Sequence, residues 1–321
     1  MVTIESVVTF PCQAEQLVGI HHASQQPAST GVLIIVGGPQ YRVGSHRFFT
    51  LTSRHLAQQG YAVFRFDYRG MGDSTGAPRN FEHIHDDIRS ALDAFQAASP
   101  EITQFVLWGL CDAASAAAFY AGSDPRVRGV VMLNPWVRTI HSRAQTYLKH
   151  YYFRRLAQLE FWRRLFTQKT YFFESIRSVL GQLKLTQQGQ RGSNSELNSE
   201  LNSESNSESN SESNRCADTN LPARMLLGLQ KFRGQILIIL SGNDLTAKEF
   251  IMTTENSRDW QRLLAEPRIS RCDLPQADHT FSSRPWRDQV AGWTSQWLLK
   301  KEFGQHPLQQ RDEIANSALP G

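Results

Sequence analysis

The first candidate for chemistry is a cysteine near two small residues, in the run Gly109-Leu110-Cys111-Asp112-Ala113. The run follows the apolar segment FVLW, which predicts a strand, and it precedes an alanine-rich segment, which predicts a helix. A sharp strand–turn–helix connection strains its central residue and admits only small residues on either side, such as Gly109 and Ala113. The helix dipole favours a thiolate at this position, so we expect Cys111 to be a nucleophile rather than a buried structural cysteine.

A cysteine nucleophile needs a base and an acid that orients the base, and both types follow at strand ends. Asp244 comes directly after the run ILIILSGN, and His279 lies a few residues beyond RISRCDLP. The carboxyl ends of parallel strands meet at one edge of a sheet, so we expect these residues beside Cys111. His279 would take the thiol proton, and Asp244 would hold its tautomer. Turn or capping roles for both residues stay open, and Asp278 is a rival acid.

A glycine pair after the first core strand is a candidate anion site. Such a loop can supply one oxyanion-hole N–H, and the residue after the nucleophile supplies the other. In Gly37-Gly38-Pro39 the proline has no N–H, so Gly38 is the expected donor, with Gln40 as the fallback. Asp112 would give the second N–H. An ordinary glycine turn is the alternative.

Short apolar runs alternate with amphipathic stretches along most of the chain. The two leading runs predict an antiparallel hairpin, and later runs such as GVLIIVGG are continuous, as in strands covered on both faces. Strands that alternate with helices predict an α/β architecture, with a mostly parallel central sheet and helices on both faces.

Composition divides the chain into segments. The predicted core comprises residues 1–135 and 230–304. Residues 136–188 are rich in Arg, Tyr, Phe and Trp and predict a helical cap insertion over the sheet. Residues 189–216 repeat Asn, Ser and Glu without an apolar face, which predicts disorder, and residues 305–321 form a C-terminal tail.

Composition also narrows the classes of function. The formal net charge is +4 over 321 residues, which is too small an excess to indicate nucleic-acid binding. The spacing of Cys12, Cys111, Cys216 and Cys272 fits neither a zinc site nor a redox pair, and we predict no metal or cofactor. The N-terminus lacks a signal-peptide pattern, and no apolar run is long enough for a membrane span. We therefore expect a cytoplasmic protein.

Three motifs carry a resemblance to a known family. The segments GGPQYRVGSHR, DYRGMGDS and GLCDAASA resemble the exosortase A system-associated hydrolase 1 family, over roughly residues 1–187 and 230–300. The resemblance implies an α/β-hydrolase fold with cysteine at the nucleophile elbow, encoded beside exopolysaccharide and protein-sorting machinery in Gram-negative bacteria. DYRGMGDS has the D-x-R-G-x-G-x-S pattern of α/β hydrolases, and we expect it to be structural, with Asp67 and Arg69 satisfying local backbone groups. Dienelactone hydrolase also has an elbow cysteine.

Together these features predict a hydrolase that cleaves a small-molecule ester or thioester through an acyl-cysteine intermediate. An acyltransferase on the same fold, or a non-catalytic hydrolase-like scaffold that binds a partner, are the alternatives. Aromatic residues of the predicted cap would form a substrate pocket or the core of the cap itself; the candidates are Trp136, Tyr147 and Tyr151.

Overall fold

The computed structural model describes residues 4–24, 29–38, 40–137, 221–301 and 303. These residues belong to one of two compact units, the one that comprises residues 1–142 and 220–321. Most of the predicted cap insertion, the predicted disordered repeat and the C-terminal tail lie outside the described residues, as do Tyr147 and Tyr151.

Eight strands form one sheet in the order β1-β2-β4-β3-β5-β6-β7-β8. The strands are β1 (Glu5–Cys12), β2 (Glu15–His22), β3 (Thr30–Ile35), β4 (Ala62–Asp67), β5 (Gln104–Leu110), β6 (Val127–Leu133), β7 (Gln235–Ser241) and β8 (Ile269–Leu274). β1 and β2 form an antiparallel hairpin, β2 pairs antiparallel with β4, and all other pairs are parallel. The predicted leading hairpin and mostly parallel sheet are confirmed.

The described residues form seven α-helices. They are α1 (Phe48–Gln58), α2 (His85–Ala98), α3 (Asp112–Tyr120), α4 (Leu221–Lys231), α5 (Leu245–Glu255), α6 (Arg258–Leu264) and α7 (Arg284–Lys300). None of the helices in this part of the chain is long and apolar enough to cross a membrane.

Two hydrophobic clusters lie on opposite faces of the sheet. Successive residues of β3 alternate between them, since Leu33 belongs to one cluster and Ile34 to the other. One cluster includes side chains of α2, α3, α4 and α6, and the other includes side chains of α1 and α7. Because β3 is buried on both faces, its run is apolar throughout rather than alternating.

The sequence from Lys248 to Leu264 predicts a single helix, and this prediction is wrong. The chain forms α5 and α6 with a break between them, where the Ser257 hydroxyl accepts a hydrogen bond from the Trp260 N–H at 3.5 Å and caps α6. Phe250 of α5 and Trp260 of α6 pack together across the break, with ring centroids 5.7 Å apart. The prediction overlooked Ser257 as a helix cap.

The segment after β4 is structural, as expected, but its arginine acts differently. Asp67 accepts hydrogen bonds from the backbone N–H groups of Arg42 at 2.6 Å and Asp73 at 3.1 Å. The buried Arg69 side chain instead pairs with the Asp87 carboxylate on α2, with Nη2 and Oδ2 2.7 Å apart. The motif thus ties the end of β4 to α2.

Candidate active site

Cys111 lies between β5 and α3 in a strained backbone conformation. Its φ is 64° and its ψ −124°, in a region that residues with a Cβ rarely adopt. The Cys111 N–H donates to the Leu133 carbonyl at 2.8 Å, and its carbonyl accepts from the Ala114 N–H at 3.1 Å. A Cβ on Gly109 would lie 2.6 Å from the carbonyl carbon of Ala113. The glycine before the cysteine is therefore required by the close approach of α3.

The loop after β3 packs directly against this turn. A Cβ on Gly37 would lie 2.1 Å from Asp112 Oδ1 and 2.9 Å from the Ala113 nitrogen. The two segments that carry the predicted oxyanion-hole donors thus meet only because residue 37 has no side chain.

Asp244 and His279 meet at the carboxyl end of the sheet. His279 Nδ1 lies 2.9 Å from Asp244 Oδ2. This separation has hydrogen-bond length, but the ring N–H is poorly aligned, so the pair does not form a well-directed hydrogen bond. Such contacts often tighten only when substrate binds. The Asp244 carboxylate also caps α5, where it accepts from the N–H groups of Thr246 at 3.1 Å and Ala247 at 3.0 Å.

The rival acid, Asp278, is engaged elsewhere. Its carboxylate accepts from the Ser282 N–H at 3.0 Å and from the Ser282 hydroxyl. Partial burial raises the pKa of Asp278, but the hydrogen bonds from Ser282 outweigh it and hold the pKa below its usual range. The acid beside the imidazole is therefore Asp244.

Cys111 and His279 line one cavity of about 500 Å³. Its wall includes Gly38, Gln40 and Trp136, together with apolar side chains. A larger cleft of about 590 Å³ opens at the amino ends of β5, β6 and β7, but no histidine or cysteine lines it. The smaller cavity therefore brings a cysteine and a histidine to a common volume.

The predicted oxyanion-hole donor Gly38 already has an acceptor. Its N–H donates to Asp112 Oδ2 at 2.9 Å, and Asp112 Oδ1 accepts from the Ala113 N–H at 2.9 Å. Burial raises the pKa of Asp112, although these backbone hydrogen bonds oppose the rise. The fallback donor Gln40 uses its side-chain carbonyl to accept from the Ser45 N–H at 3.2 Å.

Asn134, which sequence reasoning missed, joins three strand ends. It follows β6 with a φ of 43° and is fully buried. Its side-chain amide donates to the Ser241 hydroxyl at 2.8 Å and to the His279 carbonyl at 3.0 Å, and its side-chain oxygen accepts from the Ser241 N–H at 2.9 Å. A polar residue directly after the apolar run of β6 was the signal available in the sequence.

Trp136 is the one predicted pocket residue among those that the structure describes. It lines the cavity, and its N–H donates to the Cys111 carbonyl at 3.2 Å. Its own carbonyl accepts from the Ser115 hydroxyl at 2.6 Å. In the described ranges, no group of three or more His, Cys, Asp or Glu residues could hold a metal ion.

The chain is similar in sequence to one protein family and similar in fold to several solved structures. The sequence model of the family described as serine aminopeptidase, S33, matches residues 29–229, which is more than half of the chain. The fold is similar to that of a Pyrococcus furiosus esterase, with a TM-score of 0.59 and 13% identity over 93% of each chain. A dienelactone hydrolase from Anabaena variabilis gives a TM-score of 0.54 and 14% identity, over 93% of this chain and 98% of that one.

An acylaminoacyl peptidase from Pyrococcus horikoshii gives a TM-score of 0.57 and 12% identity, over 94% of this chain but 42% of that one. No curated protein sequence matches this chain. At such low identities the solved structures establish a common fold.

Proposed function

We propose that this chain cleaves acyl esters or thioesters with Cys111 as the nucleophile. The chain belongs to the serine aminopeptidase S33 family and is an α/β-hydrolase enzyme, and the proposal starts from that membership. The observation that carries the proposal is one cavity lined by a cysteine in the strained elbow conformation and by a histidine whose ring meets a buried aspartate. His279 is the proposed general base and Asp244 its acid partner.

The proposed reaction has two halves. His279 takes the Cys111 thiol proton as the sulfur attacks the substrate carbonyl carbon, which gives a tetrahedral oxyanion. The oxyanion collapses to an acyl-cysteine, and the alcohol or thiol leaves with the proton from His279. Water then attacks the acyl-cysteine with His279 again as base, and the carboxylic acid is released as Cys111 regains its proton.

Asp244 supports this sequence by fixing the histidine. Its carboxylate is held by two backbone N–H groups at the start of α5, so its position depends on a helix end rather than on a flexible loop. A carboxylate at Nδ1 selects the tautomer whose other nitrogen is free to accept the thiol proton, and it stabilises the imidazolium that forms.

An ester or thioester suits a cysteine better than an amide does. The Cys111 thiolate is itself a good leaving group, so the tetrahedral intermediate goes forward only if the substrate's own group leaves comparably well. A thiolate, or an alkoxide that His279 protonates, meets this condition more easily than an amide nitrogen does. The structures similar to this chain include an esterase and a dienelactone hydrolase, in agreement with ester chemistry on this fold. Membership of the exosortase A system-associated hydrolase 1 family stays a prediction from the three motifs.

A substrate panel with cysteine variants tests the proposal. We expect the wild type to hydrolyse members of a panel of acyl esters, thioesters and acetylated sugars, and Cys111→Ala to lose at least about 10³-fold in kcat/KM. Cys272→Ala is the matched control, because Cys272 is a second partly buried cysteine that does not line the cavity. Hydrolysis that survives in Cys111→Ala would contradict the assignment.

A further inference from the structure

The Asp112 carboxylate accepts a hydrogen bond from one of the proposed oxyanion-hole donors. The Gly38 N–H, which is the proposed donor from the β3 loop, points at Oδ2 with 2.9 Å between nitrogen and oxygen. The other oxygen, Oδ1, is bound at 2.9 Å by the Ala113 N–H at the start of α3. One donor of the proposed hole, the Gly38 N–H, is thus turned toward an anion that belongs to the protein.

The local packing fits the carboxylate closely. The atom that a Cβ on Gly37 would meet first is Asp112 Oδ1, at 2.1 Å, ahead of any backbone atom. Among the described residues, no lysine or arginine forms a salt bridge with Asp112. The carboxylate is held by the backbone N–H groups of Gly38 and Ala113, and the first of these is a donor that the proposed reaction would use.

Two anions cannot share these donors. A carbonyl oxygen that gains negative charge in the transition state needs the Gly38 N–H, which cannot also serve the carboxylate. The Asp112 side chain must therefore rotate out of the hole before an acyl group reacts, and the binding of the substrate must supply the free energy for that movement.

We infer that Asp112 is a specificity-determining residue, which holds the oxyanion hole closed in the free enzyme and selects against small acyl groups. The inference rests on the proposed function of Cys111. An acyl donor with a large apolar group can fill the cavity, whose wall includes Phe49, Phe81 and Leu110, and thereby supply the free energy that displaces the carboxylate. An acetyl ester has no such group and reacts slowly. The substrate class is therefore an acyl donor with an extended apolar portion.

The test compares two esters across aspartate variants. Asp112→Ala empties the hole, and Asp112→Asn keeps the shape without the charge in case the alanine variant does not fold. The matched control is Asp273→Asn, which removes one carboxylate charge from an exposed residue that does not line the cavity. The substrates are p-nitrophenyl acetate and p-nitrophenyl phenylacetate.

We expect the Asp112 variants to raise kcat/KM for the acetate by about tenfold or more, a difference of ~1.4 kcal/mol, and to change the phenylacetate value much less. The preference for the larger ester should collapse, and the control should leave it intact. Equal losses on both esters in both Asp112 variants would overturn the inference and make Asp112 a residue that assists the reaction.

A second measurement does not depend on catalysis. Because the Gly38 N–H is bound to the carboxylate, we expect its hydrogen–deuterium exchange to accelerate by about tenfold or more in Asp112→Ala but not in Asp273→Asn. Unchanged exchange at Gly38 would overturn the inference even if Cys111 is the nucleophile. Full hydrolysis by Cys111→Ala would instead refute the proposed function, so the two failures are distinguishable.

Discussion

Cys111 is held in its conformation by contacts on both sides. The N–H is bound by the end of β6, the carbonyl is bound by α3, and Gly109 leaves room for the helix. Backbone strain of this kind costs about 1–3 kcal/mol and persists only where the surroundings fix it. In the proposed reaction, this conformation directs the Cys111 thiol away from the sheet and toward the cavity that His279 also lines.

The two aspartates near the histidine should differ in importance. We expect Asp244→Asn to lower kcat by about 10²–10⁴-fold, because an amide at Nδ1 would favour the wrong tautomer of His279. Asp278→Asn should keep most of the activity, because that carboxylate binds Ser282 rather than the ring. Steady-state kinetics on an ester accepted by the wild type measure both effects. A larger loss of kcat in Asp278→Asn than in Asp244→Asn would show that Asp278, and not Asp244, is the acid that supports His279.

The residues that sequence reasoning could predict are those whose role follows from their place after a strand. Cys111, Asp244 and His279 each lie after a strand of the parallel part of the sheet, so their common edge was predictable. The rotamer of Asp112 was not predictable, because it depends on the approach of the β3 loop to α3. The sequence therefore predicted residue 112 only as a backbone donor, and the position of its carboxylate was not predicted.

At the level of elements, the adjacency of β5, β6, β7 and β8 determines which loops can meet. Alternating strands and helices predicted the parallel sheet, but not which strands are neighbours. Asn134 depends on that neighbour relation, since it links the end of β6 to Ser241 on β7 and to the loop after β8. The capped break between α5 and α6 was likewise not predicted, although serine at position 257 is a residue type that caps helices.

We expect Asn134 to position His279 through the hydrogen bond to its carbonyl, and an isosteric variant tests this role. Asn134→Asp can still accept from the Ser241 N–H but cannot donate to the His279 carbonyl. We expect kcat to fall by about tenfold or more while KM stays within about twofold, because a misplaced base slows the reaction without weakening binding. Asn134→Ala should lower kcat further and also lower the melting temperature.

A merely structural role for Asn134 would give a different result. The folded fraction of Asn134→Asp would then have the kcat of the wild type, and only the free energy of unfolding would change. Thr294→Val is a suitable control. It removes the buried hydroxyl that accepts a hydrogen bond from the Trp108 indole N–H, and Thr294 does not line the cavity.

At the scale of the whole molecule, a buried ion pair ties the end of β4 to α2. Arg69 and Asp87 are both buried, and their side chains form two hydrogen bonds of 2.9 and 2.7 Å. The hydrogen bonds that Arg69 donates to Asp87 raise the pKa of Arg69, so its charge persists in the core. The free energy of unfolding should therefore depend on this pair.

We expect Asp87→Asn to lower the free energy of unfolding by about 3–5 kcal/mol, because it leaves the Arg69 charge buried and uncompensated. The neighbouring Asp86 is the matched control; it is exposed and 3.9 Å from Arg69, so Asp86→Asn should cost less than about 1 kcal/mol. Urea denaturation measures both variants. Similar losses in the two would show that the pair contributes no more than a surface contact.

The most direct test of the central claim is to observe the acyl-enzyme. Rapid mixing with a p-nitrophenyl ester that the wild type hydrolyses, followed by an acid quench and peptide mass spectrometry, reports where the acyl group is attached. The account predicts a mass increase of one acyl group on the peptide that contains Cys111, and a stoichiometric burst of p-nitrophenolate that Cys111→Ala lacks. An acyl group on another residue, or an unchanged burst in Cys111→Ala, would contradict it.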